Sequence, residues 1–246
     1  MSTQVLPFSF DAKGIVVLSD ADMVASAYID GALRTEVGVH DALTVIEWGK
    51  TVPAIRAHTL EVPNSVTNWV DGLDISIDGK VAFVVDTKGS LPRSIQQVSN
   101  VQTDLPLGNT LYAIDVADPA NPKLLDRIGF GKELISVDVN PVSGALLVVN
   151  REAGKEVAFV SWEDGRFGEV KLHAVTHRDR VVTHGSWHPN GQYFGLSMEP
   201  QAEIAFYAYG EQRIEAVGGP LKAGSYPGAG KFSNNGKYYL VPDLKW

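Results

Sequence analysis

Apolar residues in this chain come in short bursts, and each burst is fenced by Asp, Asn, Pro or Gly. The clearest run is Asn109 to Trp162, which reads NTLYAIDVADPANPKLLDRIGF, then KELISVDVNPVSGALLVVN, then EVAFVSW. Val, Ile, Leu, Phe and Tyr dominate every burst, so each reads as a β-strand bounded by turn residues. Between Ile135–Val139 and Ala145–Val149 lies Asn-Pro-Val-Ser-Gly, residues 140–144, a hairpin with glycine where the backbone needs an unusual φ.

That hairpin recurs. Its glycines are Gly14, Gly79, Gly144, Gly191 and Gly236, spaced 65, 65, 47 and 45 residues apart. The surrounding segments are SFDAKGIVVLSD, SIDGKVAFVVD, VNPVSGALLVVN, WHPNGQYFGLSM and FSNNGKYYLVPD. Segments 20–41 and 87–108 both fall after a second strand and before a third. Removing about 20 residues from each restores a period of about 45, the size of a four-stranded propeller blade.

The pattern predicts third strands at Leu43–Trp48, Thr110–Val116, Glu156–Ser161 and Glu203–Ala208. Fourth strands follow at Ile55–Val62, Lys123–Ile128, Glu169–Ala174 and Arg213–Val217. Only Met23–Ala32 and Leu91–Val98, both in the insertions, could form a helical turn or two. The fold class is therefore all-β, a β-propeller of four-stranded antiparallel blades with about four and a half blades present. Its single domain divides near 1–63, 64–132, 133–178, 179–222 and a partial 223–246. Because a propeller must close on itself, the expectation is an N-terminal portion of a seven-bladed ring. The alternative is a five-bladed ring closed by Thr3–Phe8.

A formal charge of −8 and the lack of any Lys/Arg run argue against a nucleic-acid partner. The absence of cysteine removes thiolate catalysis, disulfides and Cys-based metal sites. No apolar run is long enough for membrane insertion, and MSTQVLPFSFDAKG carries no signal-peptide pattern, which leaves the compartment open with the cytoplasm ahead of export.

Two motifs carry a family resemblance. Leu146–Asn150 after Asn-Pro-x-x-Gly resembles the YVTN repeat of bacterial seven-bladed propellers. Leu111–Pro122, LYAIDVADPANP, is similar to their third strand and turn. The superfamily includes lactonase-type hydrolases, cycloisomerases, dehydrogenase heavy chains and binding proteins. These motifs specify turns and strand ends, so the resemblance implies the fold and leaves the reaction open.

Propeller topology puts the loops from second to third strand, and from fourth strand to the next first, on one face. Both insertions fall there, which makes it the expected functional face. Its densest polar run is His177-Arg178-Asp179-Arg180, followed by Thr183 and His184. His184 opens an inner strand beside the channel and is the candidate general base. Arg151, Arg180, His177, Asp179, Lys88 and Arg93 are the candidate substrate-binding residues, with arginine suited to a carboxylate. Read plainly, the loop charges could equally form a solvated ion-paired surface.

His184 and His188 share an i, i+4 spacing, but on a strand this separates them by about 13 Å, so no metal site is expected. His58 and His173 fall on outer strands as surface residues, and His40 stays unassigned. Trp69, Trp162 and Trp187 occupy positions where aromatics wedge adjacent blades. The glycines from 218 to 230 lack the strand-to-helix context of a dinucleotide fingerprint, and no nucleophile elbow, zincin or P-loop motif occurs. No cofactor is expected. Two functions follow: a lactonase-like hydrolase or isomerase acting on a small anionic organic molecule, or a non-catalytic propeller that binds a protein or ligand.

Overall fold

In the computed structural model, residues 12, 14–20, 30–34, 38–48, 55–64, 71–89, 95, 97–101, 103–175, 180–210 and 213–243 are described. Within them, Gly79, Gly144, Gly191 and Gly236 take φ of 71°, 76°, 69° and 69°, the left-handed conformation the hairpins require. Each closes its turn by donating its N–H to the residue that opens it: Ser76, Asn140, His188 and Ser233. Gly14 departs from this pattern. It is the first residue of a strand, and a Cβ there would collide with the Ile46 carbonyl of the paired strand.

Among the described residues twenty strands follow in chain order. The first unit has β1 (Gly14–Ser19), β3 (Ala42–Trp48) and β4 (Ile55–Glu61), with β2 (Leu33–Arg34) inside its insertion. The second has β5 (Leu73–Ile75), β6 (Val81–Val85), β8 (Thr110–Asp115) and β9 (Lys123–Gly129), with β7 (Gln97–Val98) inside its own. The third has β10 (Leu134–Val139), β11 (Leu146–Asn150), β12 (Val157–Glu163) and β13 (Arg166–His173). The fourth has β14 (Val181–Trp187), β15 (Tyr193–Glu199), β16 (Glu203–Tyr209) and β17 (Ile214–Ala216). Finally come β18 (Leu221–Lys222), which also pairs with β16, and a two-stranded sheet of β19 (Lys231–Phe232) and β20 (Tyr239–Leu240). All pairings are antiparallel, and the three four-stranded units are meanders in sequence order, β5-β6-β8-β9, β10-β11-β12-β13 and β14-β15-β16-β17. The all-β blade architecture thus matches the spacing of the hairpins.

The helical turn expected over Leu91–Val98 does not hold at its described end. Gln97 and Val98 form β7, which pairs with Leu33 and Arg34 of β2. Leu33, Val98, Val101 and Leu105 make a small apolar cluster there, and burying those side chains together outweighs a solvated single turn. The two insertions therefore join each other. Of Met23–Ala32, residues 23–29 lie outside the described residues, as does Thr3–Phe8 of the alternative ring closure.

Apolar side chains pack between blades, face to face. Phe83, Val85 and Leu111 of the second meet Leu134, Val148 and Val160 of the third. Ile135, Leu147 and Phe159 of the third meet Trp187, Phe194 and Tyr207 of the fourth. Each such fully buried Leu, Ile or Phe stabilises by about 1.5–3 kcal/mol. Trp162 lies edge-on to Phe83 at 5.1 Å, and Trp187 sits 5.6 Å from Phe159, so both tryptophans wedge adjacent blades as expected. Trp69 lies outside the described residues. His58 and His173 do occupy outer strands, yet both are half-buried, with His173 against the Phe159 ring at 5.4 Å.

The inner strands β5, β10, β14 and β19 touch one another in succession. Side chains tie them together. Asp74 accepts a hydrogen bond from the Val139 N–H at 2.6 Å, and one blade on, Asp138 accepts from the Trp187 N–H at 2.6 Å. Both aspartates stand two residues before the turn opener of their own hairpin, a repeated device for holding blade to blade.

Candidate functional site

The loops of the expected functional face carry two ionic clasps. In the first, Glu133 receives the buried Lys88 ammonium and lies 4.0 Å from Arg151 Nη1. Glu133 is placed by a left-handed backbone, φ 49°, with its N–H on the Gly108 carbonyl at 2.8 Å. Arg151 is fixed from its own side, its N–H bonded to the Lys132 carbonyl at 2.7 Å. In the second clasp, Arg180 Nε donates to Glu203 at 2.7 Å, and Lys222 lies 3.8 Å from the same carboxylate. Ala202, just before Glu203, is again left-handed at φ 53°. Such non-glycine positions cost about 1 kcal/mol or more and persist only where neighbouring contacts over-determine them. Two cations share one carboxylate in each clasp.

Tyr226 feels the charge of Arg151 from the first clasp and that of Glu199. Its hydroxyl is pushed up in pKa by burial first and then by a hydrogen bond to Glu199, while the Arg151 charge pulls it down. Glu199 is paired with Val181, the neighbour of Arg180.

His184 lies three residues further along β14, about 10 Å in from Val181 at strand rise. Its Nδ1 is 3.1 Å from Thr183 Oγ1, and that hydroxyl donates its own proton to the Ser197 carbonyl at 3.3 Å. Thr183 therefore accepts from His184, which puts the ring proton on Nδ1 and leaves the Nε2 lone pair open. Nε2 is buried and has no hydrogen-bond partner. Burial, and then the Lys231 charge, lower the His184 pKa to about 4, so the ring is neutral at physiological pH.

Below the mouth a further charged group gathers on the inner strands. Lys231 of β19 binds the Asp138 carboxylate and lies 4.0 Å from Asp71 Oδ1. Burial raises the pKa of Asp138 to about 6 and raises those of Asp71 and Asp74, with Lys231 pulling each back down. Asp71 Oδ2 and Ser136 Oγ are buried without partners beside them. Lys231 escaped sequence reasoning, although the signal was present. It stands three residues before the Asn234-Asn235-Gly236 turn, at the repeat position that holds Asp74, Asp138 and Ser186 in the earlier blades.

Of the sequence-predicted residues, Lys88 and Arg151 are thus brought together on Glu133, and Arg180 is held on Glu203. His184 lies deeper on the strand that Arg180 precedes. His177, Asp179 and Arg93 lie outside the described residues. Among the described residues no group of His, Asp and Glu has the geometry to hold a metal ion, and no helix is long and apolar enough to cross a membrane. A cavity of about 550 Å³ lies elsewhere, on the hairpin face between the second and third blades, lined by Ile77, Phe83, Leu125 and Trp162. Its carboxylates Asp78 and Asp115 pair with Lys80 and Lys123, so it offers no convergent chemistry.

Comparison with solved structures decides the architecture. A candidate 6-phosphogluconolactonase from Bacteroides fragilis superposes with a TM-score of 0.59 at 17% identity, covering 95% of this chain and 61% of that one. A second from Bacteroides uniformis gives 0.56 at 15% identity, covering 95% and 75%. The Cps50 β-propeller domain of Myceliophteria thermophila gives 0.55 at 12% identity, covering 87% and 62%. The chain folds as a β-propeller. It spans about three fifths of the length of the first of these structures. No family model and no curated relative matches the sequence.

Proposed function

We propose that this propeller takes a small anionic organic molecule at the mouth between the two clasps and transforms it as a lactonase-like hydrolase or isomerase. The observation that carries this reading is His184: a buried, neutral imidazole with its Nε2 lone pair open, in from a rim that holds Lys88, Arg151, Arg180 and Lys222. Arg151 and Arg180 orient a carboxylate or phosphate on the ligand. His184 Nε2 then accepts a proton, from an attacking water in hydrolysis or from a carbon beside a carbonyl in isomerisation. Water-poor surroundings strengthen each of these contacts. The solved propellers described as candidate lactonases support the hydrolytic version through shared fold alone.

The experiment is a pH-stat assay on a panel of anionic and neutral five- and six-membered lactones, with His184→Gln as the comparison. Turnover of anionic members only, lost in the variant while the fold is retained, is the expected result. Equal rates for His184→Gln and the parent chain would remove the catalytic assignment.

A second reading has its own observation. The β2–β7 pairing builds an accessory sheet with its own apolar cluster on the same face, which suits a surface that docks a partner without turnover. In that case the panel binds weakly or not at all and no member is turned over.

A further inference from the structure

Glu133 serves two cations at once, and they belong to different parts of the molecule. Lys88 sits in the neck of the second insertion, and Arg151 stands on the rim. Resting on the proposed anion site at that rim, we infer that Glu133 is a positioning residue that stands in for the ligand. It holds Arg151 while the mouth is empty and yields it to an incoming anion, after which its charge is left to Lys88 and the neck is tightened.

The two contacts are unequal. The Lys88 ammonium lies directly on Glu133 Oε1, with 1% of its side chain exposed. Arg151 Nη1 reaches the same oxygen only at 4.0 Å. The Arg151 Nε is buried with no hydrogen-bond partner among the described residues, so the guanidinium is under-satisfied. The second clasp is arranged the other way: Arg180 Nε donates to Glu203 at 2.7 Å, and the exposed Lys222 is the outlying cation at 3.8 Å. Of these two arginines, Arg151 is therefore the one loosely held by its carboxylate. A carboxylate or phosphate that meets its planar fork with two hydrogen bonds displaces a single long contact.

The neck is placed to register that exchange. Beyond β6 and β8 the chain continues as a narrow ladder in which Lys88 bridges Leu107. The Gly89 N–H donates to the Pro106 carbonyl at 2.9 Å, and the Gly108 N–H to the Thr87 carbonyl at 3.1 Å. A Cβ on Gly108 would collide with the Asp86 carbonyl, so the two arms lie as close as backbones can. Both arms rest on residues 133 and 134. Lys88 is held by the Glu133 carboxylate, the Gly108 carbonyl by the Glu133 N–H at 2.8 Å, and the Thr87 hydroxyl by the Leu134 carbonyl at 2.6 Å. Past the neck, Val101 and Leu105 pack with Leu33 of β2 and Val98 of β7. A carboxylate relieved of Arg151 attracts the buried ammonium with undivided charge, in surroundings of low dielectric. An anion at the rim and a closed neck then favour one another, and the coupling is reciprocal.

The probe is inorganic phosphate, titrated by calorimetry into the parent chain, Glu133→Gln and the double variant Lys88→Met/Glu133→Gln. Amide exchange at Gly89 and Gly108 is followed by NMR with and without saturating phosphate. The double variant removes one charge of each sign, so the net charge near the rim is unchanged while Arg151 is released. It should bind phosphate about two- to fivefold more tightly than the parent. Exchange at Gly89 and Gly108 should slow by a similar factor when phosphate binds the parent, and stay unchanged in the double variant. If Glu133→Gln does not fold, the double variant carries the test alone, since it leaves no buried charge without a partner. Parental affinity in the double variant, or exchange in the parent that phosphate leaves untouched, overturns the inference. So does a failure of all three proteins to bind phosphate. Turnover plays no part in the readout: the coupled response in a protein that transforms no lactone keeps the positioning role and rejects the catalytic reading, and turnover without the response does the reverse.

Discussion

His188 and Gly236 meet across the gap between the fourth and fifth repeats, and neither would fit with a larger partner. His188 Nδ1 accepts the Asn190 N–H at 3.1 Å, so Nε2 carries the proton and donates it to the Gly236 carbonyl at 3.1 Å. A methyl group on Gly236 would collide with the ring. The same staircase runs back through the molecule. Val142 lies 3.0 Å from where a Cβ on Gly191 would stand, and Ile77 lies 3.9 Å from that position on Gly144.

Hairpin glycines should therefore differ in how far they tolerate alanine. At Gly79 nothing lies within 4 Å, so Gly79→Ala meets only the cost of a left-handed backbone, about 1 kcal/mol. Gly236→Ala adds the collision with His188 and the loss of an inter-blade hydrogen bond, and should cost about 2–4 kcal/mol. Urea denaturation of the two variants side by side checks the order. Equal losses would mean that the hairpins do not bear on one another.

Acid stability should reveal the His184–Asp138 neighbourhood. His184 has a pKa lowered from 6.5 to about 4, so its stabilising contribution is full above about pH 6.5 and is lost as pH falls through about 4. Asp138 runs the other way. Its pKa is raised from 3.8 to about 6, so its contribution is present below 3.8 and is lost as pH rises through about 6. Relative to the parent chain, His184→Gln should gain about 2–3 kcal/mol on going from about pH 7 to pH 4. Asp138→Asn should lose ground over the same window. Denaturation midpoints at several pH values measure both, and parallel curves for parent and variants would contradict the assignment.

Glu133 offers a test of the first clasp as structure. The Lys88 side chain is 1% exposed, so Glu133→Ala strips the carboxylate from a buried ammonium. A loss of about 3–5 kcal/mol is expected. Pairing the change with Lys88→Met removes the charge along with its partner and should recover most of that loss. A double variant no better than Glu133→Ala would show that packing, not charge, sets the cost.

How much of this could be read from the chain alone depends on the length scale of the signal. Hairpin spacing is local, so the blades emerged directly, and Thr110–Val116 or Lys123–Ile128 fell within a residue of the strands seen. Gly14 misled slightly, because a glycine demanded by a close strand contact looks in sequence like one demanded by a turn. The pairing of β2 with β7 was invisible, since two-residue strands in separate insertions leave no periodicity. Candidate site residues could be proposed by type and by topology alone. Arg151, Arg180, Lys88 and His184 could be assigned to one face from topology, but their partners Glu133, Glu203 and Lys222 depend on contacts between blades, which no spacing rule encodes. Lys231 is the instructive omission: its meaning lies in replacing an aspartate at a repeat position, which only alignment of the repeats against one another brings out.

Ligand binding at the rim should depend on both arginines and on their geometry, not on positive charge alone. Arg151 and Arg180 each lie beside one carboxylate that a second cation also shares, and a guanidinium carries several N–H donors in a planar fork suited to an anion. Both side chains are largely buried, with 31% and 17% of their surface exposed, so the contact is only partly screened by solvent. Truncating either to alanine should weaken binding of an anionic ligand by about 2 kcal/mol, roughly thirtyfold, the low end for a partly desolvated charge pair. Arg151→Lys should recover only part of that loss, since an ammonium cannot reproduce a bidentate contact. If one ligand spans both clasps, the double variant Arg151→Ala/Arg180→Ala should fall short of the sum of the single losses, because the second truncation acts on a ligand already released from its orientation. Titration calorimetry on the parent and these four variants, repeated at high salt, gives these terms directly. Strict additivity together with unchanged salt dependence would place the two arginines at separate anion sites and dissolve the shared mouth.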